Sequence, residues 1–188
     1  MICYDIVKNK YDLAIDGNKI KKEEHMKHIA ILADTHGLLL EHVIAELAAA
    51  DCVIHAGDIN TPYVIESIRQ LGKTYAVRGN NDGDWAEALP KSITVTIEGV
   101  RFFIVHNKKD IPQYLANVDV VIYGHSHKYS AEVTDEVLLL NPGSCGKRRF
   151  NLELTMCRMI VDAGHYKYEK VMIPCGNPKD RLSETKQD

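Results

Sequence analysis

The chain lacks several features that would place it in a specialised class of protein. Its five cysteines are odd in number and form no Cys-x-x-Cys pair, which favours free thiols in a reducing compartment over a disulfide framework. No apolar run approaches the roughly 20 residues that a transmembrane helix needs, and the N-terminus shows no hydrophobic region of a signal peptide. We therefore expect a cytoplasmic protein that does not associate with a membrane.

An excess of charge of one sign is also absent. The chain has 23 Lys and Arg residues against 26 Asp and Glu residues, giving a net charge of −3, and its basic residues are scattered. The one basic cluster, Lys147-Arg148-Arg149, is typical of a solvated loop, and a phosphate contact is the alternative. The sequence therefore predicts no dedicated nucleic-acid surface.

Length and composition favour one domain. With 188 residues, 45% of them hydrophobic, the chain can fill one core and is short for two. We assign that domain to residues 26–174, followed by a polar tail at 175–188. Residues 1–25 form an extension that is either a small hairpin or loosely attached, and pairing of the extension with a second copy of the chain is an open alternative.

The apolar pattern changes from alternating strands and helices to hairpins along the chain. The first half predicts a parallel βαβαβ unit, with strands at 29–33, 52–55 and 74–77 and helices over 37–50 and 61–71. The second half predicts a buried strand at 118–123, a short helix over 111–117 and three hairpins at 93–105, 131–140 and 154–173. The number and order of these strands and helices predict an α/β fold, in which a two-sheet sandwich is flanked by helices in four layers.

Residue types that bind metal ions follow five of these strands. They are Asp34 and His36, then Asp58, Asn80, His106, and finally His125 and His127. Each has an ordinary structural explanation on its own, such as an Asx turn, a loop or a strand-end histidine. Because loops at the carboxyl ends of strands converge on one edge of an α/β sheet, we expect all seven side chains to lie close together.

The chemistry of this donor set predicts two ions rather than one. Carboxylate, amide and imidazole donors without cysteine suit Mn²⁺, Fe²⁺, Ni²⁺ or Zn²⁺. Seven donors exceed the four of one tetrahedral ion, whereas two ions about 3.5–4 Å apart that share a carboxylate would use them all. Such a pair would make a bound water acidic and orient a phosphate, which are the requirements of phosphoester hydrolysis.

These motifs resemble those of the calcineurin-like metallophosphoesterase superfamily. The resemblance covers residues 26–174 and is carried by Asp34-x-His36, Gly57-Asp58, Gly79-Asn80-x-Asp82, His106 and Gly124-His125-x-His127. The short chain and the segment Asn141-Pro142-Gly143-Ser144 resemble the small bacterial and archaeal phosphodiesterase branch. The resemblance implies a two-sheet sandwich with a binuclear metal site at one rim.

The resemblance also implies a role for each donor. Asp34, His36 and His127 would hold the first ion, Asn80, His106 and His125 would hold the second, and Asp58 would bridge the two. The implied catalytic residues are Asp58, Asn80, Arg78 and Asp82, with Arg78 steadying a phosphate or forming a plain salt bridge. The expected cofactor is a pair of divalent ions, with Mn²⁺ preferred over Ni²⁺, Fe²⁺ or Zn²⁺.

Two positions depart from the superfamily pattern. Asn81 stands where many members have a histidine thought to protonate the leaving group, although the similar branch usually lacks that histidine as well. Because an amide cannot donate a catalytic proton, we expect esters with good leaving groups, or proton donation by water or by another histidine such as His55. Asn107 stands where glycine is usual, and its side chain would narrow the rim or shift the loop.

The resulting hypothesis is a phosphodiesterase that hydrolyses a small phosphodiester through a hydroxide bridging two metal ions. A phosphomonoesterase on the same site is one alternative. A non-catalytic scaffold is another, because a retromer subunit uses the same fold for protein binding. Trp85, the only tryptophan, would either pack on the surface or stack on a base or sugar of the substrate.

Overall fold

The structure is a computed structural model that describes residues 26–149 and 151–174. Ten strands and two α-helices follow one another in this part of the chain. They are β1 Lys27–Leu32, α1 Glu41–Ala48, β2 Cys52–His55, α2 Pro62–Leu71, β3 Lys73–Ala76, β4 Ser92–Ile97, β5 Val100–Val105, β6 Val120–Ile122, β7 Ser130–Thr134, β8 Val137–Asn141, β9 Thr155–Asp162 and β10 His165–Met172. The predicted extension at 1–25 and tail at 175–188 lie outside the described residues.

The first sheet has the order β10-β9-β1-β2-β3. Its strands β1, β2 and β3 are parallel, with Leu32 opposite His55 and His55 opposite Ala76. This parallel pairing confirms the predicted βαβαβ unit. The hairpin β9–β10 completes the sheet, because β9 pairs with β1 in the antiparallel direction.

The second sheet has the order β4-β5-β6-β8-β7. Its three central strands β5, β6 and β8 are parallel, and the outer strands pair antiparallel with them as hairpins. The carboxyl ends of β5, β6 and β8 lead to His106, to Gly124 and to Pro142. Both sheets therefore have parallel strands whose ends carry the sequence motifs.

Alternation along β1 shows how the layers form. Ile29 and Ile31 belong to the core between the two sheets, together with Phe102 and Ile104 of β5. The alternate residues Ala30 and Leu32 belong to a second core beneath the helices. A strand buried on both faces explains the continuous apolar run in the sequence. The two-sheet α/β sandwich predicted from the sequence is thereby confirmed.

The two helices cover the outer face of the first sheet. Val43 and Leu47 of α1 and Val64 and Ile68 of α2 are buried there. Helix α1 is shorter than the predicted span of 37–50, because the chain between β1 and the helix takes left-handed and turn conformations. Within the described residues, neither helix has the length and apolar character needed to cross a membrane.

The predicted helix over 111–117 is wrong. The structure has a short 3-10 turn at Lys108–Asp110 instead, followed by an irregular segment. Ile111 and Leu115 still pack on the outer face of the second sheet, although they are not part of a helix. A seven-residue helix is marginal because nucleation is costly, and Asn117 has a left-handed φ of 54°.

Candidate metal centre

The loops after β1 and β2 run side by side and bring the first two motifs together. The Asp34 amide donates to the Gly57 carbonyl at 3.0 Å, and the His36 amide donates to the Asp58 carbonyl at 3.0 Å. These bonds continue the pairing of the two parallel strands beyond their ends. Backbone hydrogen bonds therefore fix the two loops, and the side chains of Asp34, His36 and Asp58 are buried.

Five of the seven candidate donors have a left-handed backbone. They are Asp34 (φ 54°), His36 (φ 47°), Asp58 (φ 56°), His125 (φ 70°) and His127 (φ 58°). This region is costly for residues other than glycine, and it persists only where the surrounding structure enforces it. Such strain at five donors that share one rim is a feature of functional sites.

Asp34, His36 and His127 form the first group of donors. The two Nε2 atoms of His36 and His127 are 3.0 Å apart, and Asp34 Oδ1 lies 3.8 Å from the first and 3.4 Å from the second. Three tetrahedral ligands about 2.0–2.2 Å from one ion would be about 3.3–3.6 Å apart. The triangle of donor atoms therefore has dimensions that fit one ion.

Asp58, Asn80, His106 and His125 form the second group. His106 Nε2 lies 3.3 Å from Asp58 Oδ1 and 3.1 Å from Asn80 Oδ1. His125 Nδ1 lies 2.9 Å from the same Asn80 oxygen. The structure thus places all seven sequence-predicted donors in two adjoining groups.

The two aspartates lie between these groups. Asp58 Oδ2 is 3.9 Å from His36 Nε2 of the first group, while Asp58 Oδ1 faces His106 of the second. One Asp34 oxygen also lies within 4.8 Å of donor atoms from Asp58 and His106. This is the placement that a bridging Asp58 would require, and its bridging role stays a prediction.

Burial sets the protonation of the first group. It lowers the pKa of His36, with the Arg149 charge as the next cause, and lowers the pKa of His127 to about 4. Burial also raises the pKa of Asp34 to about 7. Both imidazoles are therefore neutral at pH 7, which leaves nitrogen lone pairs for an ion.

Asp58 and His106 each shift the pKa of the other in the direction opposite to the shift that burial alone would cause. Burial would raise the pKa of Asp58, but the contact with His106 and the backbone amide of Asn81 outweigh burial and hold this pKa well below its usual range. Burial would lower the pKa of His106, but Asp58 outweighs it and raises this pKa. Asp58 is therefore a firmly ionised carboxylate at the centre of the site.

The residues fit divalent metal ions on two independent grounds. Asp34 Oδ1 is a buried carboxylate oxygen without a hydrogen-bond partner among the described residues, and such an oxygen is costly unless a cation satisfies it. The donors are oxygen and imidazole nitrogen, which suit borderline divalent ions. Either group of three buried side chains, Asp34 with His36 and His127 or Asp34 with Asp58 and His106, could hold an ion.

Two residues that hold the loops in place had no assigned role in the sequence analysis. Asn141 is fully buried, and its Nδ2 donates to the Gly124 carbonyl at 2.8 Å and to Ser126 Oγ at 3.0 Å. Ser144 Oγ donates to the Asp34 carbonyl at 2.9 Å. The segment Asn141–Ser144 therefore braces the loops that carry His125 and Asp34, and its resemblance to a family motif was the only sequence signal.

The suggestion that His55 protonates the leaving group is wrong. Its side chain is fully buried, with Nε2 3.1 Å from Thr35 Oγ1 and Nδ1 accepting from the Gly57 amide at 3.2 Å. Burial lowers the pKa of His55 to about 3. His55 is therefore a neutral link between the two ligand loops and has no path to a substrate.

Asp82 and Asn81 hold the third motif against the centre. Asp82 accepts from the amides of Asn60 at 2.6 Å and Gly79 at 2.8 Å, so both of its oxygens serve the backbone. Asn81 donates to Asp58 from its amide nitrogen at 2.9 Å and from Nδ2 at 2.6 Å. These contacts show that Asp82 positions the backbone of the site, and the catalytic role expected of it stays a prediction.

The remaining candidates lie around the rim. Arg78 is half-buried, and no hydrogen bond or ion pair of its guanidinium occurs among residues 26–149 and 151–174. Trp85 packs against the core beneath the helices, in agreement with the packing alternative. The Asn107 side chain binds the backbone two residues further on, where its Oδ1 accepts from the Lys109 amide at 3.0 Å.

A two-sheet α/β sandwich with Asp, Asn and His donors clustered at one rim is typical of metal-dependent phosphoesterases. The chain belongs to the calcineurin-like phosphoesterase superfamily, whose domain model matches residues 26–164. The family assignment made from the sequence motifs is thereby confirmed.

Relatives within this superfamily include named phosphodiesterases. A phosphodiesterase of Methanocaldococcus jannaschii is 33% identical over 138 residues, covering 62% of this chain and 83% of that protein. The solved structure of a novel archaeal phosphodiesterase is 29% identical with a TM-score of 0.62, covering 78% of this chain and 99% of the other. These similarities agree with the small phosphodiesterase branch.

The same fold also occurs in a protein of a different kind. Zn²⁺-complexed Vps29 of Entamoeba histolytica superposes with a TM-score of 0.66 at 17% identity, covering 80% of this chain and 94% of that one. At this identity the similarity shows the shared fold alone. The function therefore has to be argued from the site.

Proposed function

We propose that the protein is a metal-dependent phosphodiesterase that hydrolyses a small phosphodiester at the rim of the sandwich. The observation that carries this proposal is the pair of adjoining donor groups that meet at Asp34 and Asp58. The named phosphodiesterase relatives support the same reaction class. Asn80 and His125 are exposed, so a substrate can reach the second group from solvent.

The seven donors have distinct parts in this proposal. Asp34, His36 and His127 would hold the first ion, and Asn80, His106 and His125 would hold the second, with Asp58 available to both. Two divalent ions bound there would polarise the phosphoryl oxygens and supply a water acidic enough to attack phosphorus near neutral pH. Mn²⁺ is the preferred ion, with Ni²⁺, Fe²⁺ and Zn²⁺ as alternatives that the same donors accept.

The chain's own groups orient the centre and limit the range of substrates. Asn81 fixes both Asp58 oxygens, which holds the shared carboxylate still. Neither Asn81 nor the buried His55 supplies a proton to a leaving group. The proposed substrates are therefore diesters whose leaving group departs with a proton from water.

The alternatives differ in what they demand of the site. A phosphomonoesterase would use the same donors, and nothing in their geometry separates it from a diesterase. A protein-binding scaffold has the support of the Vps29-like fold, but it does not require seven donors in two groups with strained backbones. We therefore rank the scaffold below either enzyme.

Hydrolysis of a matched pair of esters tests the proposal. Metal-stripped protein is assayed on bis-p-nitrophenyl phosphate and on p-nitrophenyl phosphate after addition of Mn²⁺, Ni²⁺, Zn²⁺ or Mg²⁺ in separate reactions. The expected result is no turnover without added ion and faster turnover of the diester with at least one ion. Faster turnover of the monoester would favour the phosphomonoesterase, and no turnover by ion-loaded protein would favour the scaffold.

A further inference from the structure

The two ring nitrogens of His36 have different surroundings. Nε2 faces the other donors of the first group, 3.0 Å from His127 Nε2 and 3.8 Å from Asp34 Oδ1. Nδ1 is buried and has no hydrogen-bond partner among the described residues. A neutral imidazole that binds an ion through Nε2 carries its proton on Nδ1. An ion at the first group would therefore leave a buried N–H on His36 that needs an acceptor.

Asn60 has an acceptor of the matching kind. Its Oδ1 is also buried, and no hydrogen bond to this oxygen occurs within residues 26–149 and 151–174. A buried amide oxygen is costly unless a donor satisfies it. The donor on the His36 ring and the acceptor on Asn60 would each supply what the other lacks.

Backbone hydrogen bonds bring the loops that carry these two side chains together. The His36 amide donates to the Asp58 carbonyl at 3.0 Å, and the Gly37 amide donates to the Ile59 carbonyl at 2.8 Å. Asn60 is the next residue along the chain and therefore begins beside the His36 loop. A side-chain contact with Asn60 also raises the pKa of His36 against the larger, lowering effect of burial. This is the direction expected of an oxygen that accepts from the ring.

The backbone of Asn60 is itself fixed. Its φ is 71°, in the left-handed region that asparagine adopts more readily than most residues. Its amide donates to Asp82 Oδ1 at 2.6 Å, while Asp82 Oδ2 accepts from the Gly79 amide at 2.8 Å. Asp82 therefore ties the Asn60 backbone to the third motif and holds the starting point of the Asn60 side chain.

We propose that Asn60 is a positioning residue that accepts a hydrogen bond from His36 Nδ1–H and thereby directs the Nε2 lone pair at the first ion. This inference rests on the proposed function, because the ion is part of it. A partner on the second ring nitrogen fixes the tautomer and the orientation of a histidine ligand. Loss of such a partner typically weakens metal binding by about 10- to 100-fold.

Calorimetric titration of metal-stripped protein with Mn²⁺ tests this role without measuring turnover. Asn60→Gly removes the acceptor, and glycine adopts the left-handed backbone without strain. We expect one equivalent of Mn²⁺ to bind about 10- to 100-fold more weakly to this variant. Asn60→Asp keeps an acceptor oxygen and should bind Mn²⁺ at least as tightly as the wild type. Asn117→Gly, at an exposed asparagine with φ 54°, is the matched control and should leave the affinity unchanged.

Nuclear magnetic resonance of ¹⁵N-labelled protein observes the ring proton itself. Zn²⁺ replaces Mn²⁺ in this experiment because it is a d¹⁰ ion and does not broaden the signals. The His36 Nδ1–H signal should exchange slowly with water in the wild type and in Asn60→Asp, and rapidly in Asn60→Gly. Wild-type Mn²⁺ affinity in Asn60→Gly would overturn the proposal. Weaker Mn²⁺ binding with an unchanged Nδ1–H signal would also overturn it, because it would show damage to the loop alone.

Failure of this proposal differs from failure of the proposed function. A protein whose Mn²⁺ affinity and ring signal depend on Asn60 but which hydrolyses no ester would contradict the phosphodiesterase and leave the role of Asn60 intact. Turnover of diesters by wild-type protein, with Mn²⁺ affinity and ring signal unchanged in Asn60→Gly, would contradict only the role of Asn60.

Discussion

His55 is a single buried residue that ties two ligand loops together. The Gly57 amide can only donate, so Nδ1 accepts and the ring proton sits on Nε2, where it is donated to Thr35 Oγ1. A second proton on this ring would face the Gly57 N–H and lose that bond. The folded protein therefore requires a neutral imidazole at position 55, as its lowered pKa indicates.

Acid should destabilise the protein through His55. Its pKa is near 6.5 in an unfolded chain and about 3 in the folded one. The unfolded state therefore binds more protons between these values. The contribution of neutral His55 to the free energy of unfolding is therefore fully present above about pH 6.5. Below that pH the free energy of unfolding falls by up to about 1.4 kcal/mol per pH unit. His127 contributes in the same direction.

Urea unfolding of metal-stripped protein at pH 7.5, 6.5 and 5.5 checks this expectation. His55→Gln should be less stable at pH 7.5 and should show a shallower loss of stability on acidification than the wild type. Ile68→Val, which removes one buried methyl group, should lower stability equally at each pH. An unchanged pH slope in His55→Gln would contradict the assignment.

At the scale of single residues, the sequence predicted the metal donors but not the residues that hold them in place. Asp34, His36 and the other donors could be recognised because metal-binding types follow strand after strand. The part of His55 could not be assigned, because its burial and the proximity of two loops distant in sequence decide it. The histidine nominated as a proton donor proved to be buried.

At the scale of elements, loops rather than strands carry the site. The segment 141–146 joins the loop after β6 to the loop after β1 through Asn141 and Ser144. The strands and hairpins were predictable from period and turn residues. The 111–117 segment was not, because Ile111 and Leu115 bury their side chains without a helix.

The close contact between Gly146 and Thr35 allows a test of how the segment 141–146 supports the site. Gly146→Ala should push the 144–149 loop away from the Asp34 loop and cost about 1–3 kcal/mol of unfolding free energy, as overpacking typically does. The same variant should bind Mn²⁺ more weakly. Urea unfolding and calorimetric Mn²⁺ titration measure the two effects.

Gly72→Ala is the matched control for that substitution. Its added Cβ would lie 3.8 Å from the Asp51 carbonyl oxygen, an ordinary contact, and Gly72 lies at the opposite end of β3 from Asn80. It should leave Mn²⁺ affinity unchanged. Wild-type Mn²⁺ affinity in Gly146→Ala would show that the loop does not support the centre.

At the scale of the molecule, the centre depends on the packing of two sheets. Donors from the first sheet, such as Asp34 and Asp58, meet donors from the second, such as His106 and His125. The core between the sheets fixes that distance, with Phe102 of β5 among its largest fully buried side chains. The sandwich was predictable from the strand count, and the convergence of the donors at one rim from their positions after strands, whereas the distances between donor atoms needed three-dimensional structure.

Phe102→Ala should therefore destabilise the protein strongly. Removing a fully buried phenylalanine costs about 3–5 kcal/mol, a large part of the 5–15 kcal/mol typical of a domain. Thermal and urea unfolding measure this loss. Val133→Ala, at a side chain that is 53% exposed, should change stability by less than about 0.5 kcal/mol. Similar losses in both variants would contradict the position of the core.

Counting ions while following turnover tests the central claim most directly. Metal-stripped protein is titrated with Mn²⁺, and bound ion and hydrolysis of bis-p-nitrophenyl phosphate are measured at each step. We predict two bound equivalents, with turnover rising as the pair fills. Asp58→Asn should lose the pair and the turnover together, whereas Asp84→Asn, at an exposed carboxylate of the rim, should keep both. Full turnover in Asp58→Asn, or in wild-type protein with no ion bound, would contradict the account.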